Sequence, residues 1–438
     1  MKRPQTPPAF GDLVRDLQPE QFLHLISEVD LSEYLHWDEL RYRTPPQGLT
    51  HREWWLGLKL HRKELWKEIP LVDCSGIPFR VLVIDPIPEY LHQIDLGGPG
   101  FSGLLEQATT SEFSNLYFVD SLIEEAITSS QLEGATTTHQ VAREMLRTGR
   151  VPQNRSEQMI LNNYLTMNAI GELKDQPLTQ DLIFHLHRLV TEDTLDDPSG
   201  TGRFRYAKES VQIADLITGE ILHRPPPAEE LPERLQAMCD FANGKTPDWF
   251  IHPALRAIIL HFWLGYDHPF VDGNGRTARA LFYWSMLRNG YGLFKFLSIS
   301  QILCKAPVRY SRSFLYTETD DNDLTYFILY QLHVIEQTVD VFHQYVKRKA
   351  RLFEGIDQVL KNSAVFNHRQ RALLSHALRH PRHRYTIYGH QNSHNVVYQT
   401  ARTDLLNLQA HGLLDAVKAG KQWVFTPVEN LSQKLTML

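Results

Sequence analysis

From about Thr110 to Lys361 apolar residues recur at three- and four-residue spacing, the period of helices with one buried face. FSNLYFVDSLIEEAITSSQLEG, SEQMILNNYLTMNAIGEL and LTQDLIFHLHRLVTEDTL carry the pattern most clearly. Gly134 is placed to close the first of these, and Thr179 and Asp181 to open the third. One stretch breaks the period. Val211 to Pro227 holds two short apolar runs around Thr218-Gly219, which predicts a β-hairpin inside a helical domain.

The flanks differ in style. Upstream, Thr50-His-Arg-Glu53 forms a capping box with Leu49 and Trp54 as a hydrophobic staple, so a helix is expected from Glu53 to about Trp66. Phe79 to Ile84 (FRVLVI) reads as a strand ended by Asp-Pro. Gly98 to Gly103 matches GxGxxG but follows no apolar strand, and it reads as a linker. Downstream, His368 to Leu378 is helical and Tyr385 to Ile387 extended. Val397 to Gln409 is helical with Val397, Ala401, Leu405 and Leu408 on one face, and Gly412 stops it. A hairpin follows, its turn near Ala419-Gly420. Two helices and a two-stranded wing predict a winged helix-turn-helix. The expected domains are therefore an N-terminal extension over 1–109, a helical domain over 110–361 and the winged helix over 362–438.

Composition narrows the class. The 438 residues are 42% hydrophobic, 22% charged and 11% aromatic, as in a soluble globular protein. No run approaches the ~20 apolar residues of a membrane span. The start lacks the apolar core of a secretory signal, and three distant cysteines make neither a disulfide framework nor a CxxC site. A cytoplasmic protein without a membrane partner is expected. Charge is uneven: from Ser363 onward nine Lys or Arg face three Asp or Glu, so the tail carries about +6 and the rest about −12 of the net −6. A basic module of this kind suits nucleic acid or an acidic protein surface.

The densest chemistry lies in His268-Pro-Phe-Val-Asp-Gly-Asn-Gly-Arg276-Thr-Ala-Arg279. Pro253 suits the first turn of a helix that ends just before His268. Asp-Gly-Asn-Gly can turn sharply and aim successive N–H groups at one point, where the next helix also presents its positive end. Arg276 and Arg279, three apart, share a helical face. The ensemble is a polyphosphate cradle. Asp272 suits magnesium, because hard cations prefer carboxylates. His268 suits a hydroxyl proton at neutral pH. His185 and His187, two apart on a helix, face different ways and cannot chelate together. His261 reads as an interior histidine.

HPFVDGNGR followed by Arg279 matches the signature of the Fic family, H-P-F-x-[DE]-G-N-G-R-x-x-R, and the resemblance covers about residues 110–350. It implies a mainly α fold with a β-hairpin flap, and transfer of AMP from ATP, with magnesium, to a Ser, Thr or Tyr hydroxyl of a target protein or of the chain itself. By resemblance His268 is the base, Asp272 the metal ligand, Gly273, Asn274 and Gly275 the anion hole, and Arg276 and Arg279 the phosphate clamps. The related Doc kinases carry a Lys where Gly275 stands. Ser129-Ser-Gln-Leu-Glu133-Gly134, ending a helix over about 115–134, resembles the family's inhibitory motif, in which Glu133 would pair with Arg279. Residues 211–227 resemble the flap, with Leu222 and His223 lining the nucleotide. Tyr310 resembles the tyrosine that covers adenine, although Arg309 replaces the usual second aromatic.

Alternatives remain open at this level. The chain could be a DNA-binding regulator whose core only senses nucleotide, could remove AMP with Glu133 orienting water, or could use another donor such as UTP. The winged helix could meet DNA, a protein or a second subunit of a homodimer. LHWDELRYRTPPQGLTHREWW resembles the N-terminal extension of some bacterial Fic proteins, which supplies no role.

Overall fold

The computed structural model describes residues 2–15, 25, 27, 29, 33–97, 111–215, 218–362, 365–381, 383–419 and 422–436. The expected linker at Gly98 to Gly103 lies outside these, as does residue 420 of the expected tail turn. Two compact units divide the chain: Met1–Pro99 with Ser121–Val339, and Gly100–Asp120 with Asp340–Leu438.

The first unit opens with α1 (Phe10–Val14), α2 (Trp37–Leu40) and α3 (His51–Leu65), the last begun by the expected capping box. Strands β1 (Lys67–Val72) and β2 (Pro78–Val81) then pair antiparallel, Lys67 opposite Val81. Sequence periodicity missed β1 because Pro70 interrupts it. The ladder's irregularity falls between Glu68 and Val72, around that proline. Residues Leu82 to Ile84, expected as strand, lie beyond β2, and the Leu82 amide donates instead to Thr325 Oγ1 at 3.0 Å.

Among the described residues the next elements are all helices: α4 (Ile87–Asp95), α5 (Ser111–Leu132), α6 (His139–Thr148), α7 (Arg155–Leu173) and α8 (Gln180–Thr191). Thr138, Asn154 and Thr179 cap the last three through their side-chain oxygens. The short hairpin β3 (Ile213–Ala214) and β4 (Ile221–His223) pairs antiparallel where the period broke, although residues 216 and 217 of its loop are not described. Then come α9 (Leu231–Ala242), α10 (Pro253–Asp267), α11 (Asn274–Arg288), α12 (Ile299–Lys305), α13 (Pro307–Thr319) and α14 (Thr325–Asn362). Helices α10 and α11 are buried on nearly every side, with Ile258, Phe262 and Trp263 on one and Leu281, Phe282 and Trp284 on the other among the core residues. Such helices belong at the centre of a core, and the segment between them is the signature loop.

The N-terminal extension braces the corner between α13 and α14. Lys59 of α3 reaches Asp320 at 2.7 Å, Arg62 donates to the Tyr326 hydroxyl at 2.6 Å, and His36 stacks on Tyr316 with ring centres 4.2 Å apart. These charges are wholly buried, so each is held by a partner.

The second unit contains α15 (His368–Arg379), β5 (Tyr385–Thr386), α16 (Ile387–His394), α17 (Tyr398–Ala410), the hairpin β6 (Leu414–Ala419) and β7 (Gln422–Pro427), and α18 (Leu431–Thr436). The three strands lie in the order β5-β7-β6, antiparallel throughout. Leu374, Ala377, Ala401, Leu405, Leu408 and Phe425 form its core. Asp404 ties the helices together by accepting from Arg369 Nε at 2.7 Å and from Asn367 Nδ2 at 2.7 Å. Two expectations needed correction. Helix α16 was unforeseen: IYGHQNSH has no apolar period, and the helix starts on a cap from Thr386 to the Gly389 amide at 3.0 Å. Val397 is 68% exposed rather than on the buried stripe, because it is the cap residue and stands outside the helical register.

Candidate active site

The site begins where α10 ends. His268 takes a left-handed conformation (φ 44°, ψ 57°), its amide still bonded to the Leu264 carbonyl at 3.0 Å. Its own carbonyl accepts from Arg205 Nε at 2.9 Å, which holds the chain as it leaves the helix. Its Nδ1 lies 3.3 Å from the Gly265 carbonyl, which can only accept, so Nδ1 carries the hydrogen and Nε2 keeps its lone pair. Burial lowers the imidazole pKa to about 4, so the ring is neutral at physiological pH. The result is an oriented, unprotonated base.

The turn after it is tied from within. Asn274 accepts from the Phe270 amide at 3.0 Å and donates to the Phe270 carbonyl at 2.8 Å, so its side chain is spent on closing the loop. Gly273 has φ +81°, and a β-carbon there would come within 2.6 Å of Thr191 Cγ2. Thr277 Oγ1 donates to the Gly273 carbonyl at 2.8 Å. The first N–H groups of α11, from Asn274 onward, lack helical acceptors and remain available to an anion.

His187, set aside in the sequence, is part of this scaffold. Its Nδ1 accepts from the Gly202 amide at 2.9 Å, so Nε2 carries the hydrogen and donates to the Asp272 carbonyl, also at 2.9 Å. Its ring stacks on Phe270 with centres 3.7 Å apart, and burial lowers its pKa to about 4. The Asp272 carboxylate accepts from the Gly273 amide and lies 3.3 Å from Arg155 Nη2. It is a lone carboxylate: among the described residues no group of three or more His, Cys, Asp or Glu could hold a metal. That suits Mg2+, which takes one or two protein carboxylates and completes its shell with water and substrate phosphates.

Both arginines are buried, but they differ. Arg276 donates to the Val190 carbonyl, while its Nε and Nη2 have no hydrogen-bond partner; Nη2 is 3.9 Å from Asp272 Oδ1. Burial lowers its pKa, against the pull of the Glu133 and Asp272 carboxylates. Arg279 is already engaged. Its Nε donates to Ser129 Oγ at 2.8 Å, and its Nη2 donates to the Ser129 carbonyl at 2.9 Å and to Glu133 Oε1 at 2.8 Å. Burial opposes that charge, yet Glu133 raises the guanidinium pKa above its ordinary value. A β-carbon at Gly275 would run into the Glu133 carboxylate, so Glu133 sits directly on the first turn of α11.

Helix α5, which carries Ser129 and ends one residue before Glu133, is pinned to the core two turns before that end. Glu125 accepts from Ser298 Oγ at 2.9 Å, the Ser300 amide at 3.0 Å and the Tyr283 hydroxyl at 3.0 Å. Gly134 closes the helix at φ +91°. The three- and four-residue spacing of apolar residues marks this helix, but nothing in it distinguishes Glu125 as an anchor.

Leu222, His223, His268, Gly275, Arg279, Tyr310 and Glu133 line a single cavity of about 350 Å3. Asp272, Gly273, Asn274 and Arg276 do not line it; they build the adjoining loop and its buried support. Leu222 and His223 come from β4. Tyr310 comes from α13, its hydroxyl 2.7 Å from His261 Nε2 and its pKa pushed up to about 12 by burial. Arg205 spans the flap and the loop, donating to the Pro226 and His268 carbonyls.

Residues 177–286 match the Fic/DOC family. "Protein adenylyltransferase Fic" of Nematostella vectensis is 28% identical over 220 residues, covering 49% of this chain and 47% of that protein. The protein of the same name from Drosophila willistoni is 32% identical over 165 residues, covering 36% and 31%. The chain thus spans less than half the length of these curated relatives. A Fic family protein from Desulfovibrio desulfuricans has the same fold, with a TM-score of 0.51 and 17% identity over 79% of this chain and 97% of that one.

Proposed function

We propose that the chain is a Fic/DOC family enzyme that transfers AMP from ATP to a Ser, Thr or Tyr hydroxyl of a protein. The observation that carries this reading is the neutral His268, its Nε2 lone pair free, lining one cavity with Gly275 and Arg279. In the reaction Nε2 takes the hydroxyl proton as the oxygen attacks the α-phosphorus. The bond from that phosphorus to the bridging oxygen of the β-phosphate breaks, and pyrophosphate leaves with the bridging oxygen. The N–H groups at the start of α11 hold the phosphate oxygens, and Arg276 and Arg279 neutralise the charge that moves onto pyrophosphate. Asp272 would hold Mg2+, which supplies further neutralisation of the phosphates. Incubation with ATP labelled at the α-phosphate, beside γ-labelled ATP, tests the reading. Label entering protein from the α position alone is expected, whereas label from the γ position would mean phosphoryl transfer.

Glu133 makes the resting form self-inhibited in this reading. It occupies the guanidinium that the outer phosphates need, and it crowds the anion-binding turn.

For the second unit the order of helices, β5 and the terminal hairpin supports a winged helix that docks on DNA. Tyr398, Gln399 and Arg402 are exposed on α17, while Asp404 of the same helix is buried against Arg369 and so withdraws its negative charge from that face. Retention on duplex DNA that falls steeply with salt tests this, since phosphate contacts release counterions. Retention that is absent at low salt leaves the surface to a protein partner.

A further inference from the structure

We propose that Glu318 selects the base of the nucleotide by accepting a hydrogen bond from the exocyclic amine of adenine; this rests on the cavity being the nucleotide site. Apart from His268, Arg279 and Glu133, the polar side chains that line the cavity belong to His223, Tyr266, Tyr310, Ser311 and Glu318. The Tyr310 hydroxyl is taken by His261, and the Tyr266 hydroxyl lies against Cys74 Sγ at 3.8 Å. His223 is fully used. Its Nδ1 lies 2.8 Å from Glu318 Oε2 and its Nε2 lies 2.8 Å from the Tyr266 carbonyl. A carboxylate and a carbonyl both only accept, so both ring nitrogens carry hydrogen and His223 is an imidazolium.

Ser311 brings a hydroxyl that can donate or accept and so discriminates between no two bases, whereas the pairing with His223 fixes Glu318 and leaves it one acceptor-only oxygen. Oε2 is committed to His223, whereas Oε1 has no hydrogen-bond partner among the described residues, on a side chain only 17% exposed. A fixed acceptor in a partly buried cavity favours a ligand that brings a donor and rejects one that brings an acceptor, because the latter leaves two oxygens facing each other. Leu222, Phe314 and Leu315 give the same cavity the apolar walls a planar base requires. Adenine brings an amine at its 6-position. Hypoxanthine and guanine bring a carbonyl oxygen there, and uracil a carbonyl at its 4-position. The geometry therefore assigns Glu318 the reading of an amino-bearing base.

The test is equilibrium binding by calorimetry to the full chain carrying Glu133→Gly and His268→Ala, so that the site is open and turnover is stopped. With magnesium present, ATP, inosine triphosphate and 2′-deoxy-ATP are compared. ATP and 2′-deoxy-ATP are expected to bind within about threefold of each other, and inosine triphosphate roughly 10- to 100-fold more weakly. Adding Glu318→Ala, with folding checked by thermal unfolding, is expected to bring ATP down to the inosine level. Equal binding of ATP and inosine triphosphate overturns the assignment without any substitution at 318 and leaves the adenylyltransferase reading intact. A loss for 2′-deoxy-ATP alone overturns it too, since Glu318 would then read the ribose. If none of the three binds, the nucleotide site itself is wrong and the assignment falls with it.

Discussion

Replacing Glu133 by glycine should make the protein faster. The substitution removes one charge-assisted hydrogen bond, from Arg279 Nη2 to Glu133 Oε1 at 2.8 Å, and the carboxylate lying on Gly275. It leaves both bonds from Arg279 to Ser129, so the guanidinium stays in place. A hydrogen bond to a charged group contributes about 1.5–3 kcal/mol. The Glu133 side chain is 26% exposed and its partner 1%, so solvent screens the contact only in part. Each 1.4 kcal/mol of bias toward the blocked arrangement hides a factor of about ten, so the released activity should be roughly 10- to 100-fold above wild type. Glu133→Gln keeps the shape and loses the charge, and should fall between the two. Arg279→Ala should not mimic either, because it removes the phosphate clamp along with the block. The assay is self-modification with α-labelled ATP and magnesium, initial rates compared at equal protein. A rate for Glu133→Gly equal to or below wild type would refute the reasoning, since a glutamate that merely ends a helix has nothing to release. Faster loss of AMP from a modified target with Glu133 present would point instead to the reverse reaction.

Three further outcomes follow from the same geometry. His268→Ala should lower transfer by about 100- to 10,000-fold while nucleotide binding, read by calorimetry, stays within a few-fold, because the ring is a proton acceptor and not part of the phosphate cradle. His187→Ala should lower stability by about 2–4 kcal/mol in urea unfolding, since it strands the Gly202 amide and the Asp272 carbonyl together; His187→Gln should restore part of this. Burial holds the pKa values of His36, His187 and His268 near 4, down from 6.5, so the unfolded chain binds more protons than the native one between those limits. Stability should therefore fall as pH drops from about 6.5 to 4, measured as a falling Tm, and the acid limb of the rate should lie near 4 rather than 6.5.

Local chemistry made much of the fold legible. Thr50 with Glu53, Thr179 and Gly134 mark helix ends because a cap acts on amides two or three residues away, within reach of a sequence pattern. What was lost depended on partners distant in the chain or on elements without an apolar stripe. Strand β1 survives Pro70 because its pairing is irregular there, and α16 forms from polar residues packed between β5 and α17. The site divides along the same line. The run from His268 to Arg279 could be read because its residues are contiguous and its backbone turn is their common purpose. His187 could not: its partners are main-chain atoms of Gly202 and Asp272, 15 and 85 residues away, and main-chain atoms leave no trace in side-chain identity.

Helix α5 brings the two kinds of residue onto one face. Glu125, Ser129 and Glu133 are spaced by four, so all three look inward, and sequence alone assigns the third a role through resemblance. The contacts divide the work among them. Glu125 is wholly buried and accepts from two serines, a backbone amide and a tyrosine of the core, and removing it would leave those donors unpaired. Ser129 holds the Arg279 guanidinium through its hydroxyl and carbonyl. Glu133 holds the same guanidinium by a single carboxylate oxygen, at the end of the helix where Gly134 lets the chain turn away. Many contacts fix the helix, and in the self-inhibited reading a single side-chain contact fixes the block. On the proposed self-inhibition, opening the site is expected to need only the Glu133 side chain to turn aside while α5 stays docked. A Glu125→Ala substitution and a Glu133→Gly substitution should then part company in the same two measurements: the first lowers Tm, whereas the second raises transfer with Tm nearly unchanged.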